Sequence, residues 1–307
     1  MTTTATSGQA PPAATQGLPR PRTFDEVPGW FYRTDLILFD WFLSRQRDRE
    51  HRGDLLEMGA YMGKSAVLMG GYLNAPEERF TVCDLFDDPE AAPDKANERE
   101  MERSYSTLTR RAFEANYLSF HDELPVIMQA PTSVVPDEVA DGSCRFVHVD
   151  ASHLYEHVHG DIAAARDVLA PEGLVVLDDY RSDHTPGVAC ATWQAVLESG
   201  LRPVCVSSHK FYGTWGEPRP WQDALHAELR ARGKCWLQWQ EVAGQRLLLV
   251  GARKADPPSL PVSRHAPPAA ATAAASGKPA PRAAAARRLA ADLLPPVMTR
   301  ALRRARR

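Results

Sequence analysis

The chain has few cysteines and no long apolar run. Its five cysteines, Cys83, Cys144, Cys190, Cys205 and Cys235, are odd in number, and no two are spaced as Cys-x-x-Cys. That argues against a disulfide framework and a zinc cluster and fits a reducing, cytoplasmic setting. No stretch approaches the roughly 18 apolar residues of a membrane span. The first residues are rich in Thr, Ala and Pro without an apolar centre, unlike a signal peptide. Nor is there an excess of positive charge over most of the length. The formal net charge is −3, but residues 278–307 alone hold nine basic side chains against one acid, which leaves −11 for the rest. An acidic body excludes the basic surface that nucleic-acid binding requires, so no nucleic-acid partner is expected.

What is present is patterned. Residues 1–22 read as disordered and 253–285 as an Ala/Pro-rich linker, with few large apolar side chains in either. Residues 286–307 end in a short basic amphipathic stretch of the kind that can lie on an anionic membrane surface. The folded body is expected over 23–252. There, short apolar runs at Asp54–Met58, Phe80–Cys83, Pro125–Met128, Phe146–Val149 and Leu174–Leu177 alternate with helical spacing at Lys64–Leu73, Arg99–Leu118 and Leu154–Leu169. An aromatic-rich helix, Trp30–Arg45, precedes them. A helix near Val188–Ser199, a strand near Arg202–Ser207 and a hairpin around Ala243-Gly244 follow. Such alternation predicts an α/β fold: a Rossmann-like open sheet of seven mostly parallel strands with an antiparallel terminal strand and helices on both faces.

In an open parallel sheet, ligands bind beyond the carboxyl ends of the strands. The first strand ends at Glu57 and runs into Gly59-Ala-Tyr-Met-Gly63-Lys-Ser65. A dinucleotide loop would read Gly-x-Gly-x-x-Gly, and a nucleoside triphosphate loop would have one more residue before Gly-Lys-Ser. Glu57 at the loop entrance would repel a pyrophosphate but attract the cationic end of S-adenosylmethionine (SAM). The second strand ends at Asp84, well placed for a ribose diol. The fourth and fifth end at Asp150 and at Asp178-Asp179. Three converging carboxylates need a cation, and a hard divalent ion such as Mg²⁺ is the natural candidate.

These motifs resemble class I SAM-dependent methyltransferases, in particular the macrocin-type and cephalosporin-hydroxylase-like O-methyltransferase group. The resemblance spans Asp54 to Ala191. It rests on Leu-Leu-Glu57-Met-Gly59-x-x-x-Gly63-Lys-Ser65, Cys83-Asp84-Leu-Phe86, Asp150-Ala-Ser-His153-Leu-Tyr155-Glu156, Asp161, and Leu177-Asp178-Asp179-Tyr180 followed by Pro186-Gly187-Val188. It implies that Glu57, Gly59, Gly63 and Ser65 line the methionine part of SAM, that Asp84 holds the ribose, and that Phe86, Gln129 and Ala130 flank the adenine. It further implies that Asp150, Asp178 and Asp179 bind a divalent metal that activates a sugar hydroxyl. The group usually reads Asp-Gly-Asp where this chain has Asp150-Ala151-Ser152. His153 is the alternative, metal-free general base, so Asp150 and His153 are the catalytic candidates. The expected acceptor is a sugar or glycosylated metabolite. A nucleotide-dependent kinase and a non-catalytic SAM-binding scaffold are the competing readings. A homo-oligomer is compatible with the sequence, which sets no oligomeric state.

Overall fold

The computed structural model describes residues 20–88 and 109–267, with Leu18 and Lys95 besides. Most of the N-terminal segment, residues 99–108 of the third predicted helix and the basic tail lie outside the described residues. Nine strands form one sheet: β1 (Asp54–Met58), β2 (Phe80–Cys83), β3 (Val126–Met128), β4 (Cys144–Val149), β5 (Leu169–Leu177), β6 (Arg202–Val206), β7 (Phe211–Thr214), β8 (Trp236–Val242) and β9 (Gln245–Gly251). Their order is β3-β2-β1-β4-β5-β7-β6-β9-β8. The first five are mutually parallel, β7 is antiparallel to both its neighbours, and β8 pairs antiparallel with β9 at the edge. The Rossmann-like architecture is as expected, but the sheet has nine strands where seven were predicted. β9 adds to β6 in parallel and carries β8 with it, and the four residues of β7 were too few to register as an apolar run.

The helices are α1 (Arg33–Asp48), α2 (Lys64–Gly70), α3 (Arg110–Tyr117), α4 (Val135–Glu138), α5 (Tyr155–Val168), α6 (Pro186–Glu198) and α7 (Arg219–Arg232). Alternation along the strands sends side chains to two cores. Leu55, Phe146, Val176 and Tyr212 face a core built with Phe39 and Phe42 of α1, Val67 of α2 and Phe113 of α3. Leu56, Met58, Val147 and Val175 face the other, with Val158 and Ile162 of α5 and Val188 of α6. Phe39 and Phe42 are fully buried, each contributing roughly 1.5–3 kcal/mol of apolar burial. The aromatic helix predicted upstream is therefore the lid of the first core.

Residues 253–267, assigned by composition to a linker, run back over the body. The Ala252 amide donates to the Thr34 hydroxyl (3.0 Å), the Arg264 amide to the Ser119 carbonyl (2.8 Å) and the Ser263 hydroxyl to the Pro21 carbonyl (2.6 Å). Among the described residues no helix is long and apolar enough to cross a membrane.

Candidate active site

Strand parity decides which polar side chains meet. Glu57, His148, Val176 and Tyr212 are cross-strand neighbours, Glu57 opposite His148, His148 opposite Val176, and Val176 opposite Tyr212. They lie on the sheet face that α1 covers. Beyond the carboxyl ends of these strands opens a cavity of about 1100 Å³. A single small ligand takes about 300–1,000 Å³, so cofactor and acceptor can lie side by side.

One half of the cavity is walled by the ends of β1, β2 and β3: Gly59, Ala60, Ser65, Asp84, Leu85 and Ala130. Gly59 takes φ +81, and a Cβ there would collide with the Asp150 carbonyl, so only glycine permits the turn. Asp84 is tied to the loop that follows. Its Oδ2 accepts the Ala60 and Tyr61 amides (2.7 and 3.0 Å), and its Oδ1 accepts the Phe86 amide (2.6 Å). Burial raises its pKa against the pull of these three amides. Asp84 lines the cavity. Phe86 reaches the cavity wall, but its side chain is buried against Phe113, ring centroids 5.3 Å apart.

Three predicted cofactor residues stand elsewhere. Gly63 caps α2 behind the loop, at φ 86. The Gln129 amide oxygen accepts from Arg110 at 3.4 Å. Glu57 is fully buried beneath the floor and absent from the wall, its Oε1 2.8 Å from His148 Nδ1. Burial lifts its pKa to about 8, so at neutral pH it is largely uncharged and the expected attraction for a cation is mostly lost. Lys64, the residue that hinted at phosphate, lines the cavity with its ammonium held. Its ammonium donates to the Gly29 carbonyl (3.3 Å) and lies 5.7 Å from the Phe24 ring centroid.

The other half gathers Asp150, Asp178 and Asp179, but Asp179 does not join the other two around one point. Asp179 bends away at φ 56. Its Oδ2 lies 3.3 Å from His153 Nε2, and its Oδ1 accepts the Ser182 hydroxyl at 2.7 Å. Burial works to raise its pKa, yet His153 and Ser182 outweigh burial and hold it well below the usual carboxylate range. His153 is partly open to the cavity, its side chain 22 % exposed. Its loop is clamped from behind: a Cβ on Gly187 would come within 2.6 Å of the His153 carbonyl.

The cation that the acids require is in the chain itself. Lys210 is 1 % exposed. Its ammonium pairs with Asp178 Oδ2 and lies 3.1 Å from His148 Nε2. Burial disfavours the ammonium, but Asp178, Asp150 and Asp35 outweigh it and raise its pKa. Burial also depresses His148 well below its ordinary value, and Lys210 adds to this, so His148 is neutral. It donates from Nδ1 to Glu57 and accepts at Nε2 from Lys210. Asp35, delivered by α1, accepts the Tyr212 hydroxyl (2.8 Å), and burial lifts its pKa to about 6. Asp150 is raised well above the ordinary carboxylate range by burial and by the charge of Asp178. Ligand atoms of His148, Asp150 and Asp178 lie within 4.8 Å of one another. Yet both nitrogens of His148 are engaged, and Asp178 already holds an ammonium. This donor set does not fit a divalent ion as it stands, and Asp179 is not part of it. Lys210, His148 and Asp35 were not foreseen from sequence: a lysine in a turn, a histidine within an apolar strand and an acid on a helix each read as ordinary.

Residues 56–180 match a family described as a methyltransferase domain, less than half of the chain. No curated protein matches. Among solved structures, the O-methyltransferase NovP is 18% identical, with 60% of this chain and 80% of that one covered and a TM-score of 0.50. CalS11, described as a TDP-rhamnose 3'-O-methyltransferase, is 21% identical over 60% and 80%, with a TM-score of 0.41. TomG from Streptomyces achromogenes, an O-methyltransferase in complex with SAM, is 15% identical over 59% and 80%, with a TM-score of 0.37. NovP alone of the three is near enough to bear on the fold. Residues 56–180 are thus similar to a methyltransferase domain, and the likeness to NovP shows the fold.

Proposed function

We propose that this chain is a SAM-dependent methyltransferase that acts on a hydroxyl oxygen of a polyhydroxylated small molecule, a sugar or glycosylated metabolite, with His153 as general base. The observation that carries the reading is the His153–Asp179 pair on the acceptor side of the cavity. Asp179 lies 3.3 Å from Nε2 and orients the ring at the cavity wall, where the imidazole is the group suited to take the acceptor proton. The polar wall of that half, with Asp150, Ser182, His184 and His209, suits an acceptor with several hydroxyls. NovP's description as an O-methyltransferase agrees with an oxygen acceptor.

When bound, SAM supplies an electrophilic methyl on a cationic sulfur. Gly59, Ala60 and Ser65 would hold its methionine end, the Asp84 carboxylate a ribose hydroxyl, and Ala130 the adenine edge. Glu57, Gly63 and Gln129 support this wall from behind, and Phe86 contributes its backbone. Asp150 orients the acceptor hydroxyl. His153 would take the proton that the acceptor hydroxyl gives up as it accepts the methyl group, the sulfur keeping the electrons of the bond it loses. Alignment of the two ligands supplies much of the rate. No step is assigned to Mg²⁺, because His148 and Asp178 are already engaged by Glu57 and Lys210.

His153→Gln should lower turnover on a hydroxylated acceptor by about 10²–10⁴-fold and leave SAM affinity, read by calorimetry, within a few-fold. Unchanged turnover would remove His153 from this role. Binding of ATP in place of SAM would sink the whole reading.

A further inference from the structure

We propose that the Lys210 ammonium stands where a divalent cation would sit among His148, Asp150 and Asp178, and that Lys210 is the positioning residue that holds this acidic rim together. The inference rests on the methyl-transfer reading only for its effect on turnover; the cation site is argued from the side chains alone.

Three observations carry it. The first is delivery. The turn between β6 and β7 is fastened by Ser207, whose hydroxyl accepts the His209 and Lys210 amides (3.1 and 2.9 Å), while the Ser207 amide donates to the Lys210 carbonyl (2.9 Å). The same turn is anchored outside by His209, stacked on Tyr32 with ring centroids 3.9 Å apart and planes 10° apart. Lys210 is thus driven inward rather than left to choose solvent. The second is the receiving box. Asp178 Oδ2 and His148 Nε2 take two of the ammonium's hydrogens. Phe31 and Phe39 close the sides with ring centroids 5.1 and 5.9 Å from Nζ. Aromatic faces attract an ammonium, whereas Mg²⁺ or Mn²⁺ needs oxygen ligands and bound water around it. The third is charge. Asp35, Asp150 and Asp178 all act on Lys210, so one fixed positive charge serves three acids from two strand ends and a helix. A dication added beside it would meet strong like-charge repulsion.

The role assigned to Lys210 is therefore to keep Asp178 and Asp150 facing the acceptor without a metal. It lies below the wall, so it acts through Asp178 and His148 rather than by touching substrate.

The test is a titration of the full-length chain with Mn²⁺, the free ion being followed by its electron paramagnetic resonance. The wild type should take up no stoichiometric Mn²⁺, with or without S-adenosylhomocysteine. Lys210→Met, which keeps the volume and removes the charge, should bind one Mn²⁺ per chain about a hundredfold more tightly than the wild type or better. Adding Asp178→Asn should abolish that site. Turnover of Lys210→Met should fall in kcat with the KM for SAM little changed, and Mn²⁺ should restore part of it. One Mn²⁺ bound by the wild type and lost in Asp178→Asn would overturn the proposal, as would equal Mn²⁺ affinity in Lys210→Met and wild type. Should Lys210→Met fail to fold, the wild-type titration still decides, and Lys210→Arg must remain unable to bind Mn²⁺. A wild type that binds neither Mn²⁺ nor SAM would strike the methyl-transfer reading while leaving the cation site standing.

Discussion

Two buried charge networks occupy opposite ends of β4, and they are built to different standards. At the amino end, Arg145 is 1 % exposed, and its guanidinium is fully engaged. Nε and Nη2 grip the two oxygens of Glu78 (3.0 and 2.9 Å), Nη1 donates to Gln46 (3.1 Å), and Nη2 donates also to the Tyr72 carbonyl (2.8 Å). Gln46 donates back to the Arg145 carbonyl (2.6 Å), and Glu78 accepts the Asn74 amide (3.0 Å). Burial alone would raise the Glu78 pKa, but the bonds from Arg145 and Asn74 bring it below its ordinary value. At the carboxyl end, Lys210 serves three acids, and both Asp35 Oδ2 and Glu57 Oε2 lack a hydrogen-bond partner. A closed network fixes the sheet. An open one, where burial lifts the carboxyl pKa of Asp35 to about 6 and that of Glu57 to about 8, is the arrangement expected of a site that must move protons.

That contrast can be broken by three substitutions. Arg145→Ala strands Glu78 in the interior and should cost about 3–5 kcal/mol of stability in a denaturant titration. SAM affinity of the folded fraction should stay within a few-fold; a loss confined to SAM binding would show that the two ends are one network. Glu57→Gln probes the open end. Because its folded pKa is raised, Glu57 contributes stability below about pH 4.5 that is lost as pH rises toward about 8. The glutamine keeps an acceptor for His148 but has no proton to lose. Its melting temperature should therefore fall less steeply than that of the wild type over this window, with a relative gain on the order of 4 kcal/mol at the upper end. Parallel pH profiles would show that Glu57 is charged in the folded protein. Tyr212→Phe removes the donor to Asp35 and should cost about 1–3 kcal/mol by chemical denaturation. A null result there would mean that Asp35 finds another donor.

The sequence exposed the parallel half of the sheet because its strands are short, apolar and punctuated by polar ends. The rule that such ends face the ligand brought Asp84, Asp150, Asp178 and Asp179 to the cavity. The same rule misplaced Glu57, which lies below the wall, and grouped Asp179 with ligands from which it turns aside. Position along the strand says how near a residue is to the rim, but strand parity and a single left-handed residue decide which way it points. Glu57 points into the face that α1 seals, and Asp179 bends toward His153. Lys210 was invisible for a different reason. Its burial depends on β7 pairing antiparallel to β5, a contact between residues 32 positions apart that no local pattern records. The charge argument correctly demanded a cation at the acidic rim but could not say that the chain carries one.

The close approach of Gly59 to the Asp150 carbonyl has a mechanical consequence. The loop read here as the seat of the methyl donor and the acid read as the seat of its acceptor meet at one rigid joint, reinforced by the Asp150 amide donating to the Met58 carbonyl at 2.7 Å. The gap between sulfur-bound methyl and waiting oxygen is then gauged when the sheet assembles, before either ligand arrives. Widening that joint with a single methyl, as in Gly59→Ala, would throw donor and acceptor out of alignment while every group that touches them stays chemically intact.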